Sequence, residues 1–263
     1  MDIRERLSQV KCFLLDMDGT FYLGNQLIEG SLDFLEALRR TGRRNLFLTN
    51  NSSKSASFYQ EKLRKMGVPE TFRNVLTSGQ AAARYVTDAY PGKKAFLLAN
   101  AIETEELAAM GVQIDQAHPD YVLITFDTEL DYKKMTQLCD HVRAGLPYIA
   151  THPDFNCPTE TGFIPDIGAT IAYVKASTGR EPDVIIGKPY SGIVEETLRY
   201  TGLKKEELAM VGDRLYTDIA TGVNFGMLSI LVMSGETTEK MAAESTIRPD
   251  LTFGRLSDMI PYL

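Results

Sequence analysis

Four short polar clusters, each placed where an apolar run stops, hold the side chains of this 263-residue chain best suited to chemistry. The first is Asp16 and Asp18, in Asp16-Met17-Asp18-Gly19-Thr20, directly after the apolar run Cys12 to Leu15. Side chains two apart on an extended segment point the same way, so two carboxylates meet at the tip. Like charges that close are unfavourable unless a cation or proton is shared. Mg²⁺ suits such a site, since it takes hard oxygen ligands and bridges carboxylates to phosphates. One acid of such a pair can serve as a nucleophile and the other as a general acid and base. A solvated acidic turn before Gly19 is the plain alternative.

The second cluster, Thr49-Asn50-Asn51-Ser52-Ser53, follows Asn45 to Leu48 and leads into a helix. Hydroxyls and free backbone N–H groups at that point suit an anion such as phosphate, though ordinary helix capping also explains them. The third is Gly187-Lys188-Pro189 after Val184 to Ile186. A lysine there can neutralise charge on a nucleophile and a transferring phosphoryl group; an ordinary surface lysine is the plain alternative. It is no P-loop, because Gly-x-x-x-x-Gly is missing and proline follows the lysine. The fourth, Gly212-Asp213-Arg214-Leu215-Tyr216-Thr217-Asp218, places a second acid pair after Leu208 to Val211. One of these two acids could ligate a metal directly, with the other acting directly or through water; capping or bracing the loop is the plain alternative, above all for Asp218.

The elements that position these clusters are short β-branched and aliphatic runs alternating with helical stretches, the pattern of an α/β fold with a parallel sheet. Further strands are expected at Val75-Leu76, Ala95 to Leu98, Tyr121 to Thr125 and Ser229 to Val232. Leu32, Leu35 and Leu38 share a helical face from about Ser31 to Thr41, stopped by Gly42. Tyr59, Leu63 and Met66 share another, closed by Gly67. The stretch from Thr151 to Gly168 has no period and reads as turns. In open parallel sheets ligands bind beyond the carboxyl ends of the strands, where all four clusters fall.

Composition narrows the classes. A net charge of −7 from 28 basic and 35 acidic residues argues against a nucleic acid polymer as partner. With 44% hydrophobic residues the chain is neither disordered nor collagen-like. Cys12, Cys139 and Cys157 lack zinc or redox spacing and read as reduced thiols. The first ten residues lack the apolar core of a secretory signal, and no stretch reaches the ~20 apolar residues of a membrane span. The expectation is a cytoplasmic protein without a membrane partner; a homo-oligomer is compatible with the sequence.

Taken together, the four clusters resemble the haloacid dehalogenase superfamily. Asp16-Met17-Asp18-Gly19-Thr20 matches its first motif, Thr49 its second, Lys188 its third and Gly212-Asp213 with Thr217-Asp218 its fourth. Asp18 to Gly24 and Leu48 to Ser53 narrow the resemblance to the NagD-type, 4-nitrophenylphosphatase-like subfamily. The resemblance implies a Rossmann-like parallel-sheet core from 1–79 and 183–263 and an inserted α/β cap, the substrate-specificity domain, at 80–182. It implies a Mg²⁺-dependent phosphatase acting on small phosphorylated metabolites such as sugar phosphates, nucleoside monophosphates and 4-nitrophenyl phosphate. Asp16 would take the phosphoryl group, forming an aspartyl-phosphate, and Asp18 would act as general acid and base. Mg²⁺ would be held by Asp16, Asp18 through its backbone carbonyl, and Asp213, with Asp218 in support. Thr49, Asn50, Asn51 and Lys188 would bind phosphoryl oxygens, and His152 is expected as a cap residue near substrate. Asp154 and Asp166 either face the pocket or brace its loop. The competing reading is a non-catalytic protein that senses a phosphorylated metabolite on the same fold.

Overall fold

The computed structural model describes residues 2–159 and 161–263 and divides into two compact units. One takes the chain up to Thr49 with Tyr59–Leu76 and Val194–Leu263; the other takes Asn50–Phe58 and Thr77–Ile193.

The first unit is built on a six-stranded sheet in the order Leu251–Phe253, Leu228–Val232, Leu208–Gly212, Cys12–Leu15, Arg44–Thr49, Val75–Thr77. Cys12–Leu15 runs parallel to both neighbours, with Leu15 opposite Val211 on one side and Phe47 on the other. All four of its residues are buried, as are all five of Leu208–Gly212. That is why these strands read as unbroken apolar runs rather than alternating ones: a parallel strand in the middle of a sheet is covered on both faces. The expected helix appears as Ser31–Arg40, burying Phe34, Leu35, Ala37 and Leu38. Phe34 packs edge-on against Phe13 of the central strand at 5.6 Å, the arrangement aromatic rings prefer.

The second unit carries a five-stranded parallel sheet in the order Val184–Ile185, Tyr148–Ala150, Tyr121–Ile124, Lys94–Leu98, Gln113–Ile114. Helices Tyr132–Arg143 and Ile167–Thr178 supply Leu138, Cys139, Val142, Ile167 and Val174 to its core beside Phe96, Ile124 and Tyr148. The aperiodic stretch after Thr151 contains an antiparallel hairpin, Asn156–Thr159 with Gly162–Pro165. Its strands lie almost wholly exposed, so no alternation of burial marks them in the sequence.

Three stretches that the resemblance assigns to the core, 50–58, 77–79 and 183–193, fall in this second unit. Val184–Ile185 hydrogen-bonds in register with Ile149 and Ala150, and the Gly187 N–H donates to the Thr151 carbonyl at 2.7 Å. Ser52 Oγ lies 2.8 Å from Thr151 Oγ1 and accepts from the Phe126 N–H. Among the described residues no helix is long and apolar enough to cross a membrane.

Candidate active site

In the first unit, Asp16 continues the central strand, its N–H donating to Val211 at 2.9 Å, and Asp213 follows the adjacent strand. The parallel register therefore puts both acids at the same edge. Asp218 is returned to that edge by a single π-helical turn, Leu215–Ile219, in which the Asp218 N–H donates to Arg214. Wide turns of this kind recur at functional sites. The result is a set of carboxylate oxygens from Asp16, Asp213 and Asp218 that lie within 4.8 Å of one another.

Three glycines leave no room beside these acids. A Cβ at Gly235 would sit 2.0 Å from Asp213 Oδ2, and one at Gly212 would sit 2.2 Å from Asp218 Oδ2. A Cβ at Gly19 would meet Asp213 Oδ2 at 2.4 Å, and its φ of +87° disfavours any side chain as well. Asp213 is further fixed by the Glu236 N–H, which donates to Oδ2 at 2.7 Å. Thr237 Oγ1 donates to its carbonyl, and Ser234 Oγ donates to the Gly19 carbonyl at 2.7 Å.

Electrostatics follow from this crowding. Burial, then the neighbouring charges of Asp16 and Asp218, push the Asp213 carboxyl up to about 7, against the hydrogen bond from Glu236 and the charge of Arg214. The Asp18 carboxyl is raised by burial and by Asp16, with Lys62, the Gly24 N–H and Arg214 opposing. Acids held this way favour a proton or a cation. Hard carboxylate oxygens are the donor set that fits Mg²⁺ or Ca²⁺, so the residues present suit a divalent metal.

Two basic residues at this edge escaped the sequence reading. The Arg214 guanidinium pairs with Glu236 at 3.1 Å and, despite burial, is held more firmly protonated by Asp16 and other nearby acids. Lys62 stacks its ammonium 3.9 Å over the Tyr22 ring, and its charge acts on Asp18. Arg214 lies inside the fourth motif and was legible as a cation beside two acids. Lys62 sits in the last turn of its helix beside Arg64 and Lys65, with no local signal.

In the second unit, Asn50 and Lys188 come together. The Lys188 N–H donates to Asn50 Oδ1 at 2.7 Å, and Asn50 Nδ2 donates to the Lys188 carbonyl at 2.9 Å and to Asp154 at 3.2 Å. Both side chains are buried, Lys188 to 2% exposure. Ser78 Oγ donates to the Asn50 carbonyl. Asn51 folds its carboxamide back, Oδ1 accepting from the Ser53 N–H and hydroxyl. Thr49 is buried at the end of its strand in the first unit. His152 has no solvent exposure, and its two ring nitrogens lie within hydrogen-bonding distance of Asp166 on one side and Thr151 on the other.

Comparison with known proteins bears on this geometry. Residues 13–113 match a family model described as haloacid dehalogenase-like hydrolase, and residues 185–259 match a second of the same kind. An acid sugar phosphatase of Staphylococcus aureus is 37% identical over 258 residues, 98% of this chain and 99% of that protein. The crystal structure of a 4-nitrophenylphosphatase from Thermotoga maritima superposes with a TM-score of 0.93 at 43% identity, covering 97% of this chain and 98% of the other. A glycerol phosphate phosphatase from Mycobacterium tuberculosis, solved in complex with magnesium, gives a TM-score of 0.87 at 29% identity over 95% of this chain and 76% of its own.

Proposed function

The chain is a phosphoric monoester hydrolase of the haloacid dehalogenase-like family, NagD type, and from that premise we propose a Mg²⁺-dependent phosphatase that forms an aspartyl-phosphate on Asp16. The single observation that carries this reading is the gathering of Asp16, Asp213 and Asp218 at one sheet edge, with glycines wherever a Cβ would intrude. Asp16, the Asp18 carbonyl and Asp213 would hold the metal, with Asp218 in support. Bound there, Mg²⁺ would neutralise carboxylate and phosphoryl charge.

The chain's own residues supply the rest. An Asp16 carboxylate oxygen attacks phosphorus, the ester P–O bond breaks, and Asp18 gives its proton to the departing alkoxide. Asp18 then takes a proton from water as that water attacks the aspartyl-phosphate, releasing inorganic phosphate and restoring Asp16. Lys188, Thr49, Asn50 and Asn51 bind phosphoryl oxygens, where positioning and charge matter more than covalent chemistry. Residues 80–182 act as the substrate-specificity segment, and the substrates are small sugar phosphates, nucleoside monophosphates and 4-nitrophenyl phosphate. A cytoplasmic setting fits such metabolites.

The test is phosphate release from 4-nitrophenyl phosphate and a panel of sugar phosphates and nucleotides, with Mg²⁺ and again with EDTA. Release that EDTA abolishes and Mg²⁺ restores is expected. Release unchanged by EDTA would overturn the metal assignment. No release from any compound by folded, Mg²⁺-loaded protein would overturn the proposed substrates, in favour of sensing or of a narrow specificity outside the panel.

A further inference from the structure

His152 has no solvent exposure, yet it is imidazole rather than an apolar group, and both of its ring nitrogens have polar neighbours. Its Nε2 lies 3.0 Å from Asp166 Oδ1. Its Nδ1 faces three hydroxyls, Thr151 at 3.1 Å, Ser78 at 3.4 Å and Ser52 at 3.5 Å. Asp166 is itself anchored as the N-cap of helix Ile167–Thr178, its Oδ1 accepting from the Ile167 N–H at 2.6 Å. A fully buried ionisable pair is costly unless hydrogen bonds satisfy it, and here they do.

The loop that carries His152 is clamped from both sides. The Gly168 N–H donates to the Asp154 carbonyl at 2.8 Å, and a Cβ at Gly168 would lie 2.4 Å from the Pro153 carbonyl oxygen. A Cβ at Gly187 would lie 2.6 Å from Asn50 Oδ1, 2.7 Å from the Thr151 oxygen and 2.9 Å from His152 Cβ. The output of this loop is Asp154, whose carboxylate accepts from Asn50 Nδ2, and Asn50 in turn holds both backbone polar groups of Lys188.

We infer that the buried His152–Asp166 pair is a positioning brace that sets Asp154 and Asn50, and through them Lys188, for the phosphoryl group. The inference rests on the proposed phosphoryl-binding role of Asn50 and Lys188. The groups facing the imidazole are Asp166, Asp154 and Lys188. Burial pushes it toward the neutral form, but the charge and hydrogen bond of Asp166, with Asp154 behind, outweigh burial and Lys188 and raise its pKa. With Asp166 at Nε2 and the hydroxyls of Thr151, Ser52 and Ser78 around Nδ1, three segments distant in sequence converge on the ring.

The experiment is a double-mutant cycle of His152→Ala and Lys188→Ala, measuring kcat and KM with 4-nitrophenyl phosphate, inhibition by inorganic phosphate, Mg²⁺ affinity by calorimetry, and Tm. His152→Ala should lower kcat by about tenfold or more and weaken phosphate inhibition, while Mg²⁺ affinity stays unchanged. In the Lys188→Ala background the same substitution should cost less than about threefold, because it has nothing left to position. Asp166→Asn, which still accepts from both Nε2–H and the Ile167 N–H, should recover most of what Asp166→Ala loses. Should the alanine variant not fold, His152→Asn takes its place in the cycle. Equal losses in both backgrounds, or wild-type kinetics for His152→Ala, overturn the brace. If Lys188→Ala alone keeps the wild-type rate, the phosphoryl-binding reading falls first, and the brace with it.

Discussion

Gly235→Ala probes the acidic cluster without altering any acid. The added Cβ would lie 2.0 Å from Asp213 Oδ2, 2.5 Å from its Cγ and 2.7 Å from its Cβ. To reach even 3.0 Å, a distance real contacts rarely undercut, the carboxylate must retreat by about 1 Å, since repulsion rises steeply inside van der Waals contact. A misplacement of that size costs about 10²-fold in rate, or about 2.7 kcal/mol of transition-state stabilisation. The control is Gly42→Ala, at φ +71° with nothing within 4 Å of its added Cβ. It should cost about 1–2 kcal/mol of stability for the left-handed backbone and leave turnover intact. The assay is kcat/KM with 4-nitrophenyl phosphate together with Mg²⁺ affinity by calorimetry. Gly235→Ala should lose both. Wild-type values for both, in a folded protein, would refute the claim that Asp213's position matters to metal and rate.

Other perturbations follow from single residues. Lys188→Ala should cost on the order of 2–4 kcal/mol in transition-state stabilisation; a loss of kcat/KM below about tenfold would make it peripheral. Glu103 is fully buried, neither carboxylate oxygen has a hydrogen-bond partner, and burial, then Glu106, raises its carboxyl from 4.5 to about 9. Folding therefore takes up a proton between those values, so the stability linked to Glu103 is fully present below pH 4.5 and is lost as pH rises toward 9. Glu103→Gln should remove that dependence and gain on the order of 3 kcal/mol relative to wild type at pH 7. Parallel pH–Tm curves for the two proteins would contradict it.

Much of the first unit was legible because its strands are buried on both faces. Continuous apolar runs such as Cys12 to Leu15 and Leu208 to Val211 announced both their type and their ends, and the acids at those ends followed. The close pairing of Asn50 with Lys188 was implied by the motif order, though not its form, in which the carboxamide grips backbone rather than side chain. The unit borders were less legible: Val184–Ile185 is a two-residue strand, and its hydrogen-bond partner, Tyr148–Ala150, lies far from it in sequence. Composition cannot report which sheet so short a strand joins. The burial of His152 was hidden for the same reason, since the hydroxyls of Ser52 and Ser78 that face it come from distant segments. Lys62 reads as one more surface lysine until its helix turns it onto Tyr22.

The measurement that bears most directly on the central claim is the steady-state rate of Asp16→Asn, confirmed by mass spectrometry to retain asparagine. Asparagine keeps the size and shape of the side chain but cannot accept the phosphoryl group as a carboxylate does. The account predicts a loss on the order of 10⁴-fold or more with 4-nitrophenyl phosphate in a protein of unchanged fold. Turnover near wild type would contradict Asp16 as the nucleophile.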